Sequence, residues 1–219
     1  MTSLMRAALP KGMQFNRAKT APCDLTAPSV GENDPPRPYK AFDYLGYQFS
    51  VEDESGKGRS RRVKISIADS KIRRLKTRML LSFKSYKIDH DNELLIDRIR
   101  FIASNYKVKR SGHTHSKGSA HIKSGIYYNY ALCGNYKVGK KLEASRSSPS
   151  LSALKSLDGM FRGLMKGGSA FRADIMNNMP PPLRAKLSSI SFAKGCEDKM
   201  LFRVTPQRVS VIKRAWRNA

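Results

Sequence analysis

The sequence predicts an α+β fold, mostly α, in which a small β-hairpin is joined to a helical bundle. Three observations lead there. Aromatic and β-branched residues alternate over 42–51 and again over 63–67, the period-two pattern of half-buried strands. From Ile72 to Trp216 apolar residues recur instead at steps of three and four, the helical period. Hydrophobic residues make up 40% of the 219 residues, enough to build a core rather than a disordered chain.

Residues 1–38 read as an irregular opening, with a turn at Leu9-Pro10-Lys11-Gly12 and five prolines within 21–38. Residues 39–68 read as the hairpin. One strand covers 42–51, with Leu45, Tyr47, Phe49 and Val51 alternating, and a polar connector leads to Val63, Ile65 and Ile67 in the second. Gly46 inside the first run predicts a bulge or a close backbone approach. Residues 69–219 read as helical. Asp69 or Ser70 caps a helix with the stripe Ile72, Leu75, Met79 and Phe83, and a second helix spans 91–106 with Leu95, Ile99, Ile102 and Tyr106. Residues 107–125, rich in Lys, Ser, Gly and His, read as a mobile basic loop before the short apolar segment of Tyr127, Tyr128 and Tyr130. Ser148 and Pro149 open a helix carrying Leu151, Leu154, Leu157, Phe161 and Leu164, which Gly167-Gly168 stops. The three prolines at 180–182 lead into a helix with Leu183, Leu187 and Ile190 that ends near Gly195. Thr205-Pro206-Gln207 starts the last helix, with Val209, Ile212 and Trp216.

Charge narrows the function. Lys and Arg total 42 against 17 Asp and Glu, a net charge of +25, whereas about 2–8 suffices to keep a small domain in solution. A surplus of this size calls for a polyanionic partner, and nucleic acid is the leading one, because each neutralised phosphate releases a counterion. The densest run is Lys57, Arg59, Arg61, Arg62, Lys64, Lys71, Arg73, Arg74, Lys76 and Arg78, with Asp69 as its one acid. Arg203, Arg208, Lys213, Arg214 and Arg217 repeat the theme near the C-terminus. A solvated face normally mixes signs, so the run reads as a phosphate-binding surface.

Other classes recede. No apolar run approaches the roughly 20 residues of a membrane helix, and the first six residues lack the apolar region of a secretory signal. Cys23, Cys133 and Cys196 are scattered and odd in number, which suits a reducing cytoplasm. His113-x-His115 with His121 and Cys133 lacks the paired spacing of structural zinc, so no metal is assigned. Lys166-Gly167-Gly168 follows a helix rather than a strand and reads as a C-cap, not a phosphate loop. Tyr127, Tyr128, Tyr130 and Tyr136 suit either base stacking or a packed core.

Two segments carry a family resemblance. Leu9-Pro10-Lys11-Gly12-Met13-Gln14-Phe15-Asn16-Arg17-Ala18-Lys19-Thr20 resembles the L-P-x-G-L-x-x-N-x-x-K-T segment downstream of the catalytic aspartates in bacterial reverse transcriptases. Phe42-Asp43-Tyr44-Leu45-Gly46-Tyr47-Gln48-Phe49 is similar to their F-x-F/Y-L-G-F/Y-x-F primer grip, and the order and spacing of the two agree with that family. The stretch 88–130 is similar to retron-like and defence-associated members. The resemblance implies the end of a palm, a primer grip and a helical thumb over 69–219, closing on a template–primer duplex of RNA or RNA/DNA hybrid. It implies nucleic-acid contacts by Lys19, Leu45, Gly46 and Tyr47, to which the basic charge adds Arg61, Arg62, Lys64, Lys71, Arg73, Arg74, Arg78, Lys213 and Arg214.

The sequence departs from that family at its chemistry. Such polymerases hold two Mg²⁺ ions with clustered aspartates that include a Y/F-x-D-D turn, and this sequence has no such turn. By the resemblance those aspartates precede Met1, in a truncated gene or a split protein whose other half is a partner. The isolated chain is then expected to bind no cofactor and to extend no primer, with Mg²⁺ belonging to the complete polymerase. A stand-alone basic RNA-binding protein without polymerase ancestry would fit the charge equally. It has no reason to carry the two motifs in this order.

Overall fold

The computed structural model describes residues 38–53, 61–109, 121–137, 149–166 and 170–217, with the backbone alone at 38–40, 51–53, 61–62, 137, 149–151, 170–172 and 174. The motif at 9–20 with its Lys19, the connector at 54–60, His113 and His115, Ser148 and Gly167-Gly168 lie outside the described residues.

The chain is α+β, with helices and, among the described residues, two small sheets. Strands β1 (Pro38–Tyr44), β2 (Tyr47–Asp53) and β3 (Arg61–Ile67) form an antiparallel meander. The run 42–51 is therefore a hairpin of its own, not a single strand. Leu45 (φ 49°) and Gly46 (φ 90°) form its two-residue turn, the left-handed geometry that matches strand twist. Gly46 is thus the turn glycine and not a bulge. The turn shifts the parity of the aromatic positions, because Phe42 pairs with Phe49 and Tyr44 with Tyr47. All four rings share one face, and Phe42 stacks on Phe49 at 5.1 Å. Phe42 and Tyr44 are exposed, Tyr47 and Phe49 half-buried. Strand β6 (Gly134–Lys137) adds to the far side of β3, giving the order β1-β2-β3-β6. A two-stranded hairpin is marginal in water, and the added strand removes that weakness.

Strand β3 runs through Ala68 into α1 (Asp69–Asp89). Ala68 is the N-cap and makes no side-chain cap bond, so neither Asp69 nor Ser70 caps this helix. The backbone N–H of Ala68 instead donates to the Gly46 carbonyl at 3.0 Å, fastening the hairpin turn to the helix start. Leu75, Met79, Phe83 and Tyr86 face the core. After a left-handed His90, Asp91 caps α2 (Asn92–Ala103), its carboxylate accepting from the Leu94 N–H at 2.9 Å.

The second helix ends before Tyr106. Asn105 is fully buried. Its Nδ2 donates to the carbonyls of Gly195 (2.9 Å) and Met200 (3.1 Å), and its Oδ1 accepts from the Tyr127 N–H (2.7 Å). Those bonds require Asn105 to leave the helix, so β4 (Asn105–Lys109) begins there and Tyr106 lies in a strand. Strands β5 (His121–Gly125) and β7 (Leu201–Val204) flank it, antiparallel and parallel respectively. Residues 107–109 and 121–125 are thus strand rather than loop.

Helices α3 (Ile126–Asn129), α4 (Pro149–Met165), α5 (Ala170–Asn177), α6 (Pro181–Ser188), α7 (Phe192–Glu197) and α8 (Pro206–Arg214) complete the fold. The single helix expected from the prolines to Gly195 is two. Ile190 lies in the break, and Gly195 lies within α7, where an added Cβ would fall 2.0 Å from the Ala103 carbonyl oxygen. Thr205 caps α8 as expected, accepting from the Arg208 N–H at 3.2 Å. Trp216 lies just beyond that helix and is buried. The core gathers Met79 and Phe83 of α1, Leu95 and Ile99 of α2, Leu154, Leu157 and Phe161 of α4, Leu187, Phe192 and Ile212.

Candidate nucleic-acid interface

The hairpin turn and the first helix meet at a cleft of about 360 Å³ lined by Leu45, Lys71, Arg74, Leu75, Arg78, Asn129 and Tyr130. Lys71, Arg74 and Arg78 fall on one side of α1 because their spacing of three and four follows the helical turn. Leu75 beside them turns into the core. The turn is pressed against this row: a Cβ on Gly46 would come within 2.8 Å of the Lys71 Cε. Tyr47 ties the turn to the other wall, its hydroxyl donating to the Asn129 carbonyl at 2.8 Å and its ring meeting Tyr130 edge-on at 6.0 Å.

The cleft is strongly positive. Among the described residues no carboxylate pairs with Lys71, Arg74 or Arg78. The Arg78 guanidinium lies over the Trp216 ring at 5.4 Å, and the indole N–H donates to Ser82 Oγ at 3.0 Å. Burial, and then the neighbouring charge of Arg74, lower the Arg78 pKa from its ordinary value. Its Nε is buried without a hydrogen-bond partner among the described residues. Burial likewise raises the phenols of Tyr130 and Tyr47. Two guanidiniums and an ammonium held together with no acid among the described residues form a site whose repulsion an anion relieves.

The remaining candidates divide. Arg73 is exposed and takes no part in lining the cleft, since it projects from a different side of α1 than Lys71. Lys64 sits on β3 opposite Ser50 and Asn135, on the sheet face away from Tyr47 and Phe49. The backbones of Arg61 and Arg62 register with Asp53 and Glu52 on β2. Lys213 lies over the Phe101 ring at 5.9 Å, and that ring is 5.9 Å from Trp216. The Phe101–Trp216 pair therefore links Lys213 of α8 to Arg78 of α1. Arg214 is exposed on the same last turn. Sequence reasoning missed Asn129 and Trp216 as parts of this site. A tryptophan in the chain's most basic terminal stretch was the available signal.

Beside the cleft, burial pushes the Cys133 thiol from about 9 up to about 12, with the nearby Cys196 sulfur acting in the same direction. Below pH 9 both folded and unfolded chains keep this proton, so stability is insensitive to it. As pH rises from 9 toward 12 the unfolded chain loses its proton first, and stability must fall. The urea midpoint is expected to drop between pH 9 and 11, and less so in Cys133→Ala. A midpoint that stays level in the parent chain would contradict the neutral, half-buried thiol.

Among the described residues no group of three His, Cys, Asp or Glu is placed to hold a metal ion, and no helix is long and apolar enough to cross a membrane. No family model, curated protein or solved structure matches the chain.

Proposed function

We propose that this chain is the primer-grip and thumb region of a reverse transcriptase and that it binds the template–primer duplex along the cleft. One observation carries the reading. The turn residues Leu45 and Gly46, named by the primer-grip resemblance, and the basic residues Lys71, Arg74 and Arg78, named by charge, line or border a single cleft. A stand-alone RNA-binding protein accounts for the basic row but gives no reason for that hairpin at its edge.

In this reading the cations of α1 neutralise successive backbone phosphates, fixing register without reading sequence. The hairpin turn, held by the Ala68 to Gly46 hydrogen bond and by Tyr47 on Asn129, presents a rigid edge to the strand end. Lys213 extends the positive surface from α8. The chemistry of nucleotide addition belongs to aspartates that this sequence lacks.

Titration of the chain with an RNA–DNA hybrid tests the proposal. The expected result is binding whose logarithm falls linearly with log salt, with a slope of about −0.9 for each duplex phosphate contacted. Binding that ignores salt, or none at 50 mM salt, would refute it.

A further inference from the structure

A second cavity, of about 310 Å³, opens between the C-terminal end of α2, the α6–α7 break and β7. It lies apart from the cleft and shares none of its lining residues. Its volume is at the lower end for small-molecule sites. Two unlike surfaces meet in it. Arg100 and Lys194 bring positive charge from two different helices, and Ile190, Met200, Leu201 and Phe202 supply an apolar wall.

Among the described residues no carboxylate pairs with Arg100 or Lys194. Asp97, one turn before Arg100, is engaged by Arg208 at 2.6 Å. Asp158 lies behind Ser191, where its carboxylate accepts from the Ser191 hydroxyl and the N–H groups of Phe192 and Ala193. Among the described residues no acid lines the cavity. The apolar wall is also unusually open, with Met200 56% and Leu201 38% exposed. Phe202 is half-buried, and Tyr106 backs it with ring centroids 6.3 Å apart. A backed aromatic ring is a stacking platform for a base. Two cations at its edge select an anion.

We infer that this cavity binds a nucleoside monophosphate unit, its base against the Phe202 ring and its phosphate between Arg100 and Lys194. The unit is either a free nucleotide or the phosphorylated end of a strand. The inference does not depend on the cleft being a primer grip.

Equilibrium dialysis of the full chain with adenosine 5′-monophosphate tests it, with adenosine, inorganic phosphate and a 5′-phosphorylated tetranucleotide as separate arms. Saturable mononucleotide binding is expected, at least tenfold tighter than adenosine or phosphate alone and at least tenfold weaker in R100Q/K194Q. Both replaced residues are exposed, so the variant should keep its melting temperature. Binding of the tetranucleotide alone, with the same sensitivity to R100Q/K194Q, assigns the site to a strand end. A K71Q/R74Q/R78Q chain should bind the mononucleotide as the parent does, which separates this site from the cleft. Absence of binding by both nucleotide probes, or binding that R100Q/K194Q leaves unchanged, would overturn the inference.

Discussion

Replacing Lys71, Arg74 and Arg78 together by Gln is expected to weaken hybrid binding on the order of a hundredfold near physiological salt and to flatten the salt dependence. Each phosphate contact contributes about 0.9 to the slope on duplex, so losing three should reduce it by roughly 2.7. The loss should be alike for every duplex sequence, because backbone contacts carry no base information. Arg73→Gln is the internal control. It removes the same charge from the same helix, but from outside the cleft lining, and its effect should be several times smaller than that of Arg74→Gln. Arg78 also rests on Trp216, and losing that contact costs about 0.5–2 kcal/mol. Circular dichroism must therefore show the triple variant folded before its binding is read. Equal losses from Arg73→Gln and Arg74→Gln would mean that charge alone matters, not the cleft.

The second large effect is expected away from the cleft, behind the wall of the second cavity. Asp158 of α4 is 7% exposed. It accepts from the Phe192 N–H at 2.6 Å, the Ala193 N–H at 3.1 Å and the Ser191 hydroxyl at 2.8 Å. Ser191 Oγ in turn accepts from the Lys194 N–H at 3.2 Å. The start of α7 is thus capped from another helix, and its first amides have no water to turn to. Asp158→Ala leaves two buried N–H groups unpaired and should cost about 3 kcal/mol. For a chain of this length that corresponds to a fall of roughly 6–12 °C in melting temperature. Asp158→Asn keeps one acceptor oxygen and should lose about half as much. A change under about 1 kcal/mol in the alanine variant would show that α7 is held by packing alone.

Both sites show where the sequence was readable and where it was not. The stripe Leu75, Met79, Phe83 on α1 and the Thr205 cap of α8 follow from spacing and cap chemistry, and the structure has them. The hairpin over 38–53 was hidden because a two-residue turn does not interrupt a period-two pattern; it only changes its parity. Aromatic residues at 42 and 44 followed by 47 and 49 carry that change, and Gly46 supplies the positive φ. Tyr106 fitted the helical stripe as well as any residue before it. What removes it from the helix is Asn105, whose amide is claimed by Gly195 and Met200, 90 and 95 residues away. No local window contains that information. The break at 189–191 is of the same kind, since Asp158 fixes it from 33 residues upstream. Within the cleft, Lys71, Arg74 and Arg78 were legible as a basic run, but their separation from Arg73 needed the helix and the turn together. Lys213 reaches the same surface through Phe101 and Trp216.

Hydrogen exchange of the full chain with and without an RNA–DNA hybrid tests the central claim most directly, because it locates the bound strand on the protein. Binding in the cleft should slow exchange at the hairpin turn, residues 44–47, and near Asn129 and Tyr130. These segments border the cleft beside the basic row of α1. Slowed exchange confined to other segments, with 44–47 and 129–130 unchanged at saturating hybrid, would contradict the account.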